Sequence, residues 1–230
     1  MIKCQNIGLK YGEAEILSHI SFDLAQGESV AILGQSGSGK SSFLNILSLL
    51  ANPTSGQYFL DGQDVSKLTE ESLCEIRNKK IGIVFQKFFL VPYLNLLANV
   101  LLPLKFRKDN FQEDYSQEDS SRDFLIQEAK KNIVNLGLEK YSNHLPHQLS
   151  GGQQQRACIA RALVMKPKIL FADEPTGNLD SRNRESVLEI FRDLQKQGQS
   201  IVLVTHDLHV ASECHRIITI EDGKIVHEKK

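Results

Sequence analysis

The sequence predicts an α/β fold with three parts: a parallel-sheet core, an antiparallel β subdomain and an α-helical subdomain. Two patterns carry this reading. Short, wholly apolar runs recur along the chain at Val30–Leu33, Ile81–Phe85, Ile169–Ala172 and Ile201–Val204. Such runs suit strands covered on both faces of a parallel sheet. Helical patterns lie between them. From Ser181 to Gln197, residues Val187, Ile190, Phe191 and Leu194 share one face, with polar residues opposite. Strands alternating with helices are the mark of an α/β domain.

Taken in order, Ile2–Lys10 and Ile16–Leu24 alternate loosely, and Gln57–Leu60 runs into an Asp61-Gly62 turn. Near the far end, Arg216–Ile220 and Lys224–Val226 flank Asp222-Gly223, a strong hairpin signal. All of these read as antiparallel strands beside the parallel core. From about Phe88 to Leu163 strand patterns are missing and the chain reads as helical. Within that stretch, Lys108–Asp123 is polar, acidic and poor in apolar residues, and reads as a mobile surface loop. Leu94–Leu104, rich in leucine, reads as helical packing, part of which could form a groove for a partner's helix.

Composition narrows the class. A chain of 230 residues can bury a sizeable core, and 41% hydrophobic with 24% charged residues is ordinary for a globular protein. The net charge is −1, from 27 basic and 28 acidic residues, which gives no basic surplus for nucleic acid or an anionic membrane surface. No apolar run approaches the roughly 20 residues that span a bilayer. The start, Met1–Asn6, has no apolar targeting core. Four cysteines (Cys4, Cys74, Cys158, Cys214) lie far apart without a CxxC pair, which suits reduced thiols in a cytosol.

Gly34-Gln35-Ser36-Gly37-Ser38-Gly39-Lys40-Ser41 follows an apolar strand and opens a helix, so the core reads as that of a P-loop NTPase. Glycines let backbone N–H groups turn inward around phosphates, and the helix from Lys40 to about Leu50 points its positive end at them. Lys40 is expected on the β- and γ-phosphates, and the Ser41 hydroxyl on Mg²⁺. Lys168–Glu174 reads as a buried strand ending in two carboxylates. Asp173 is placed beside Mg²⁺, leaving Glu174 to act as general base on the attacking water. Taken alone, His206 and Gln86, each at the end of an apolar run, have ordinary structural readings.

The order of these pieces resembles the nucleotide-binding subunit of ATP-binding-cassette (ABC) transporters over essentially the whole chain. Leu149-Ser150-Gly151-Gly152-Gln153 matches that family's signature motif, Gly34–Ser42 its Walker A loop, and Ile169–Asp173 its Walker B strand. Tyr11 stands where the family stacks an aromatic on adenine, and Gln86 where it places the Q-loop glutamine that contacts Mg²⁺. Glu174 matches the catalytic glutamate, Gly177–Asp180 the D-loop, and His206 the switch histidine. The resemblance implies ATP and Mg²⁺ as ligands, with Ser150, Gly151, Gly152 and Gln153 of one chain covering the ATP held by another. It implies a homodimer or pseudo-dimer of such subunits, docked on integral membrane permease subunits at the cytoplasmic face of the inner membrane.

Within the family, Asp173–Asp180 and Phe89–Leu94 with Asn99-Val100 and Leu102–Leu104 look like one branch. That branch holds the lipoprotein-releasing, macrolide-export and cell-division FtsE-type ATPases. The acidic stretch around Asp109–Ser121 looks longer than the branch usually carries. The resemblance divides the chain into a core with its antiparallel β subdomain (1–87 and 164–230) and an α-helical subdomain (88–163). The alternative reading is a soluble ABC ATPase acting on ribosomes or nucleic acid. Against it stand a single cassette without a coiled-coil insertion and the lack of basic surplus. The signature segment argues against a small-molecule kinase, and intact Lys40, Glu174 and His206 argue against a cassette without turnover.

Overall fold

In the computed structural model, residues 1–106 and 120–229 are described, with side chains described at 1–106 and 123–229. Two sheets organise the chain. The first is antiparallel, in the order β2-β1-β4-β5, from β1 (Ile2–Tyr11), β2 (Ala14–Leu24), β4 (Ser55–Leu60) and β5 (Gln63–Asp64). The second has the order β10-β9-β3-β8-β7-β6. Its strands are β3 (Ser29–Leu33), β6 (Ile81–Val84), β7 (Ile169–Asp173), β8 (Ser200–Thr205), β9 (Arg216–Glu221) and β10 (Lys224–Lys229). The helices are α1 (Lys40–Leu47), α2 (Glu70–Lys80), α3 (Leu96–Val100), α4 (Ser120–Asn135), α5 (Gly151–Leu163), α6 (Ser181–Lys196) and α7 (Leu208–Ala211).

Five strands of the second sheet run parallel, in register from Val30 beside Val202 and Arg216 to Leu33 beside Thr205 and Thr219. The expectation that Arg216–Ile220 belongs with the antiparallel strands is therefore corrected: β9 pairs parallel with β3, and β10 alone runs against the others. The Asp222-Gly223 hairpin sets how β10 returns, but says nothing about the strand on the far side of β9. The strand β9, paired at its edges with β3 and β10, alternates buried with half-buried residues, because successive side chains point to opposite faces of the sheet.

Helix α2, which lacks a strong apolar stripe, escaped the pattern reading; it starts at a Thr69 cap, with Glu70 and Glu71 in its first turn. Residues 108–119 of the acidic stretch lie outside the described residues. Its last four are corrected from loop to helix, since α4 begins at Ser120. A polar composition disguised that start, while Leu125, Ala129 and Ile133, at helical spacing, bury its inner face.

Two apolar clusters fill the space. One lies between the antiparallel sheet, α1 and the parallel sheet, with Ile7, Leu17, Phe43, Ile46, Tyr58 and Val204 at or near full burial. The other joins the opposite side of the parallel sheet to α3–α6, through Val100, Ile133, Ile159, Leu170, Phe191 and Leu203. Polar ties cross the seam between the two sheets. Arg216, 6% exposed, pairs with Glu28 at 3.0 Å and Glu228 at 3.2 Å, and its guanidinium stacks on Phe22. Neighbouring carboxylates offset the cost of taking a guanidinium out of water.

A second tie sits at the turn after β4. The Asp61 carboxylate accepts from Lys80 at 3.0 Å and Lys168 at 2.9 Å, joining this turn to the end of α2 and the start of β7. Those two lysines, Lys168 first, hold its pKa below the ordinary carboxylate value of 3.8. A carboxyl with a depressed folded pKa contributes stability above its unfolded pKa and loses it as pH falls through the folded value. Asp61→Asn keeps a residue type that tolerates the left-handed turn (φ 52°), so its effect reports on the ion pairs. Urea unfolding at pH 7 should show a loss of about 0.5–1 kcal/mol, reduced by solvent screening. The gap between the two chains should close as pH falls below 3.8; a gap independent of pH would remove the ion pairs as its cause.

Candidate functional site

The site gathers at the carboxyl ends of β3, β6, β7 and β8, the edge of a parallel sheet where ligands are bound. Gly34 leaves β3 at φ 156°, and a Cβ there would come within 2.7 Å of Ser38 Oγ and collide with the Ile220 carbonyl. Gln35, Ser36 and Gly37 then turn through solvent, and Ser38, Gly39 and Lys40 are buried again. Gly39 takes φ 100° as the residue capping α1 and supplies no side chain to its N-terminus. The neighbouring helices differ. Thr69, Asn95, Ser150, Asp180 and Asp207 each accept from backbone N–H groups of α2, α3, α5, α6 and α7. Helix α1 is left with donors and a positive dipole end aimed out of the loop, the arrangement that binds an anion.

Two further groups in the loop are incompletely satisfied. Ser38 Oγ is buried and has no hydrogen-bond partner among the described residues. Lys40, 8% exposed, makes no ion pair within 4 Å among them and spends its ammonium on the Gln35 carbonyl at 2.7 Å. Burial lowers the pKa of Lys40, and the nearby charges of Glu174 and Asp173 pull the other way. Loop and lysine together fit a polyanion such as a di- or triphosphate.

Asp173 ends β7 opposite the loop and accepts from Ser41 Oγ at 3.3 Å. Burial chiefly raises its pKa, with Glu174 adding to the rise, while Ser41 and Lys40 oppose it. The site therefore holds a buried cation and a half-buried carboxylate, neither of them in an ion pair within 4 Å among the described residues. The next residue, Glu174, has φ 45°, a left-handed backbone costing on the order of 1 kcal/mol at a residue other than glycine. Its N–H is held by the Val204 carbonyl at 2.9 Å. Its carboxylate faces His206 Nδ1 at 2.7 Å and accepts from Thr205 Oγ1 at 3.4 Å. The irregular backbone thus turns the carboxylate toward the end of β8.

Of the residues expected from sequence, the structure brings together Gly34–Ser42, Asp173, Glu174 and His206. Gln86 joins them from the end of β6. Its backbone carbonyl accepts from the Asn178 side chain, and its side-chain amide nitrogen would stand 3.6 Å from a Cβ at Gly177. Tyr11, 60% exposed, sits at the tip of the β1–β2 hairpin, whose return strand passes Gly39 at Ile16 and Leu17. Ser150, Gly151, Gly152 and Gln153 lie elsewhere, at the start of α5 beside α6, with Leu179 and Asn183 as neighbours. Ser150 and Gln153 form a reciprocal capping box there. Asp180 caps α6 through Asn183 at 3.0 Å. Thr205 and Asn183 escaped the sequence reading, whereas Asn178 lay within the Gly177–Asp180 segment without a role of its own. Asn183 left a trace as the third residue beyond a capping aspartate.

These features coincide with those of known proteins. The family model described as ABC transporter matches residues 17–177. The macrolide export ATP-binding/permease protein MacB of Chlorobaculum tepidum is 41% identical over all of this chain, which spans only 34% of that relative's length. The lipoprotein-releasing system ATP-binding protein LolD of Aquifex aeolicus is 44% identical, with 99% of this chain and 97% of LolD covered. Among solved structures, the ATP-binding cassette MJ0796, dimeric in a post-hydrolysis state with ADP and Pi, superposes with a TM-score of 0.86. It is 40% identical, with all of this chain and 98% of that one covered. With its fold, the order of its motifs and whole-length relatives in agreement, this chain belongs to the ABC transporter family.

Proposed function

We propose that the chain is an ATP-binding and ATP-hydrolysing subunit that closes on MgATP as a dimer and drives integral membrane permease subunits. The observation that carries this reading is the start of α1: uncapped donors, an unpartnered Ser38 hydroxyl and a buried lysine in one loop. Backbone N–H groups of Gly37–Ser41 and the Lys40 ammonium hold the phosphates, Ser42 flanks them, and Tyr11 offers a ring to the base. Ser41, Asp173 and Gln86 supply oxygens suited to Mg²⁺, which when bound neutralises charge on the phosphates. Glu174, oriented by His206 and Thr205, takes the proton of the attacking water. Residues 88–163 serve as the helical unit that carries the signature, and 1–87 with 164–230 as the nucleotide-binding core.

Placement of the signature apart from the phosphate loop supports the dimer. A Ser150 helix start on the α6 side meets a phosphate only if that phosphate belongs to a second copy. The MacB and LolD relatives favour export or lipoprotein release as the class of work, at the cytoplasmic face of the inner membrane. None of the described helices is long and apolar enough to cross a membrane, so the permease function would fall to separate subunits or to further chain, as in the longer MacB relatives.

Lys40→Ala should weaken binding of a fluorescent ATP analogue by at least about tenfold, the scale of one lost charge-assisted contact. Unchanged affinity would take Lys40 out of the phosphate site. Glu174→Gln should bind MgATP yet lose turnover by a factor on the order of 10²–10⁴, and elute as a dimer only with MgATP. Turnover at the parent rate would refute the general-base role. Ser150→Arg should leave nucleotide binding to the monomer intact while abolishing that dimer. Sedimentation of equimolar Ser150→Arg and Lys40→Ala chains should restore a heterodimer with one working site, and no recovery would weigh against the shared site.

A further inference from the structure

The first turns of α5 and α6 meet at Gly152 and Asn183, and the contact leaves no room for a methyl group. A Cβ built on Gly152 would lie 2.5 Å from Asn183 Cγ and 3.0 Å from Asn183 Cβ, and closer still to its amide oxygen. The neighbouring Gly151 is different: its Cβ would find Leu179 at 3.7 Å, an ordinary contact. Asn183 cannot swing away freely, because its amide nitrogen donates to the Asp180 carboxylate at 2.6 Å while its backbone N–H donates to the other carboxylate oxygen at 3.0 Å. Asp180 is thus held at both oxygens by the residue that packs on Gly152. One turn on, Arg184 pairs with Asp207 at 3.3 Å, next to His206. The opening turn of α6 therefore reaches the start of α5, the Asp180 cap and the loop after β8.

We propose that Asn183 is a positioning residue that locks the Gly152 turn of α5 to the Asp180 cap of α6, so that both helix ends present to a second copy as one rigid surface. This rests on the proposed dimeric reading, and assigns Gly152 a role within its own chain besides any toward a partner's nucleotide. Asn183 touches no nucleotide in this scheme; it acts through Gly152 and Asp180. A rigid pair of helix ends loses less freedom when the dimer forms, so loosening the joint lowers dimer affinity without touching monomer nucleotide binding.

The test uses the full chain carrying Glu174→Gln, with MgATP-dependent dimerisation followed by light scattering and monomer binding of a fluorescent ATP analogue measured alongside. Asn183→Ala is expected to raise the dimer dissociation constant a few-fold with analogue binding within twofold of the parent, and Gly152→Ala to raise the dimer dissociation constant by more than tenfold. Gly152→Ala combined with Asn183→Ala should return to the level of Asn183→Ala alone, whereas Gly151→Ala should gain nothing from Asn183→Ala. Asn183→Leu removes the same hydrogen bond as Asn183→Ala but keeps bulk against Gly152, so it should retain part of the joint and dimerise more tightly than the alanine variant. That comparison stands even if Gly152→Ala does not fold. A double variant as poor as the product of its singles, rescue of Gly151→Ala, or equal behaviour of the leucine and alanine variants would each overturn the joint. Failure of the Glu174→Gln parent to dimerise would instead count against the dimeric reading itself.

Discussion

An uncompensated helix N-terminus organises this molecule. Helix α1 begins at Gly39, which adopts a left-handed backbone and offers no capping side chain, and its first residue is a lysine. Both choices work against an isolated helix, since side-chain caps and acidic first turns are what stabilise a helix start. The five other helix starts with a side-chain cap show that the chain makes caps readily. At α1 the burial of Phe43, Leu44, Ile46 and Leu47 keeps the helix in place, so its first turn is free to answer to a ligand. The stability comes from packing at one end of the helix, and the function from what is left unsatisfied at the other.

The rest of the site is arranged around that deficit. Parallel pairing of β3, β8 and β7 in register brings Leu33, Thr205 and Asp173 to one edge, so the phosphate loop, the carboxylates and the histidine follow from a single sheet. Asp173 faces Ser41 across the sheet end, and Glu174 leaves it with a backbone that few residues other than glycine adopt. That conformation persists because Val204, Thr205 and His206 grip both its backbone and its carboxylate. Meanwhile α5 and α6 start on the other side of the sheet with their N-termini capped by Ser150 and Asp180 and exposed. One region of the chain thus leaves a helix start without a cap, while the other closes its helix starts with side chains.

Much of this was legible in the sequence because the signals are local. A phosphate loop needs glycines at fixed spacing within eight residues, and a buried parallel strand needs only four or five apolar residues in a row. The elements that escaped are those whose identity is settled at long range. Helix α2 has no strong stripe and is held by contacts such as Arg77 to the Leu49 carbonyl, 28 residues away. The strand β9 carries the alternation of a half-buried strand, and nothing in Arg216–Glu221 states that β3 will lie parallel beside it. Helix α4 begins in a polar segment that reads as loop until its buried face is seen.

The sequence by itself determined the strand–loop–helix unit at Gly34–Ser41, the acidic strand end at Asp173-Glu174 and the helix-starting serine at Ser150. Each is written in adjacent residues whose backbone and side-chain chemistry leave little choice. Only the tertiary structure decided that Glu174 takes a left-handed backbone to meet His206, and that Arg216 is buried among Glu28, Glu228 and Phe22. It alone decided that Gly152 is pressed against Asn183. These contacts join residues 12 to 194 positions apart, and register and helix packing, rather than local preference, fix which side chains meet.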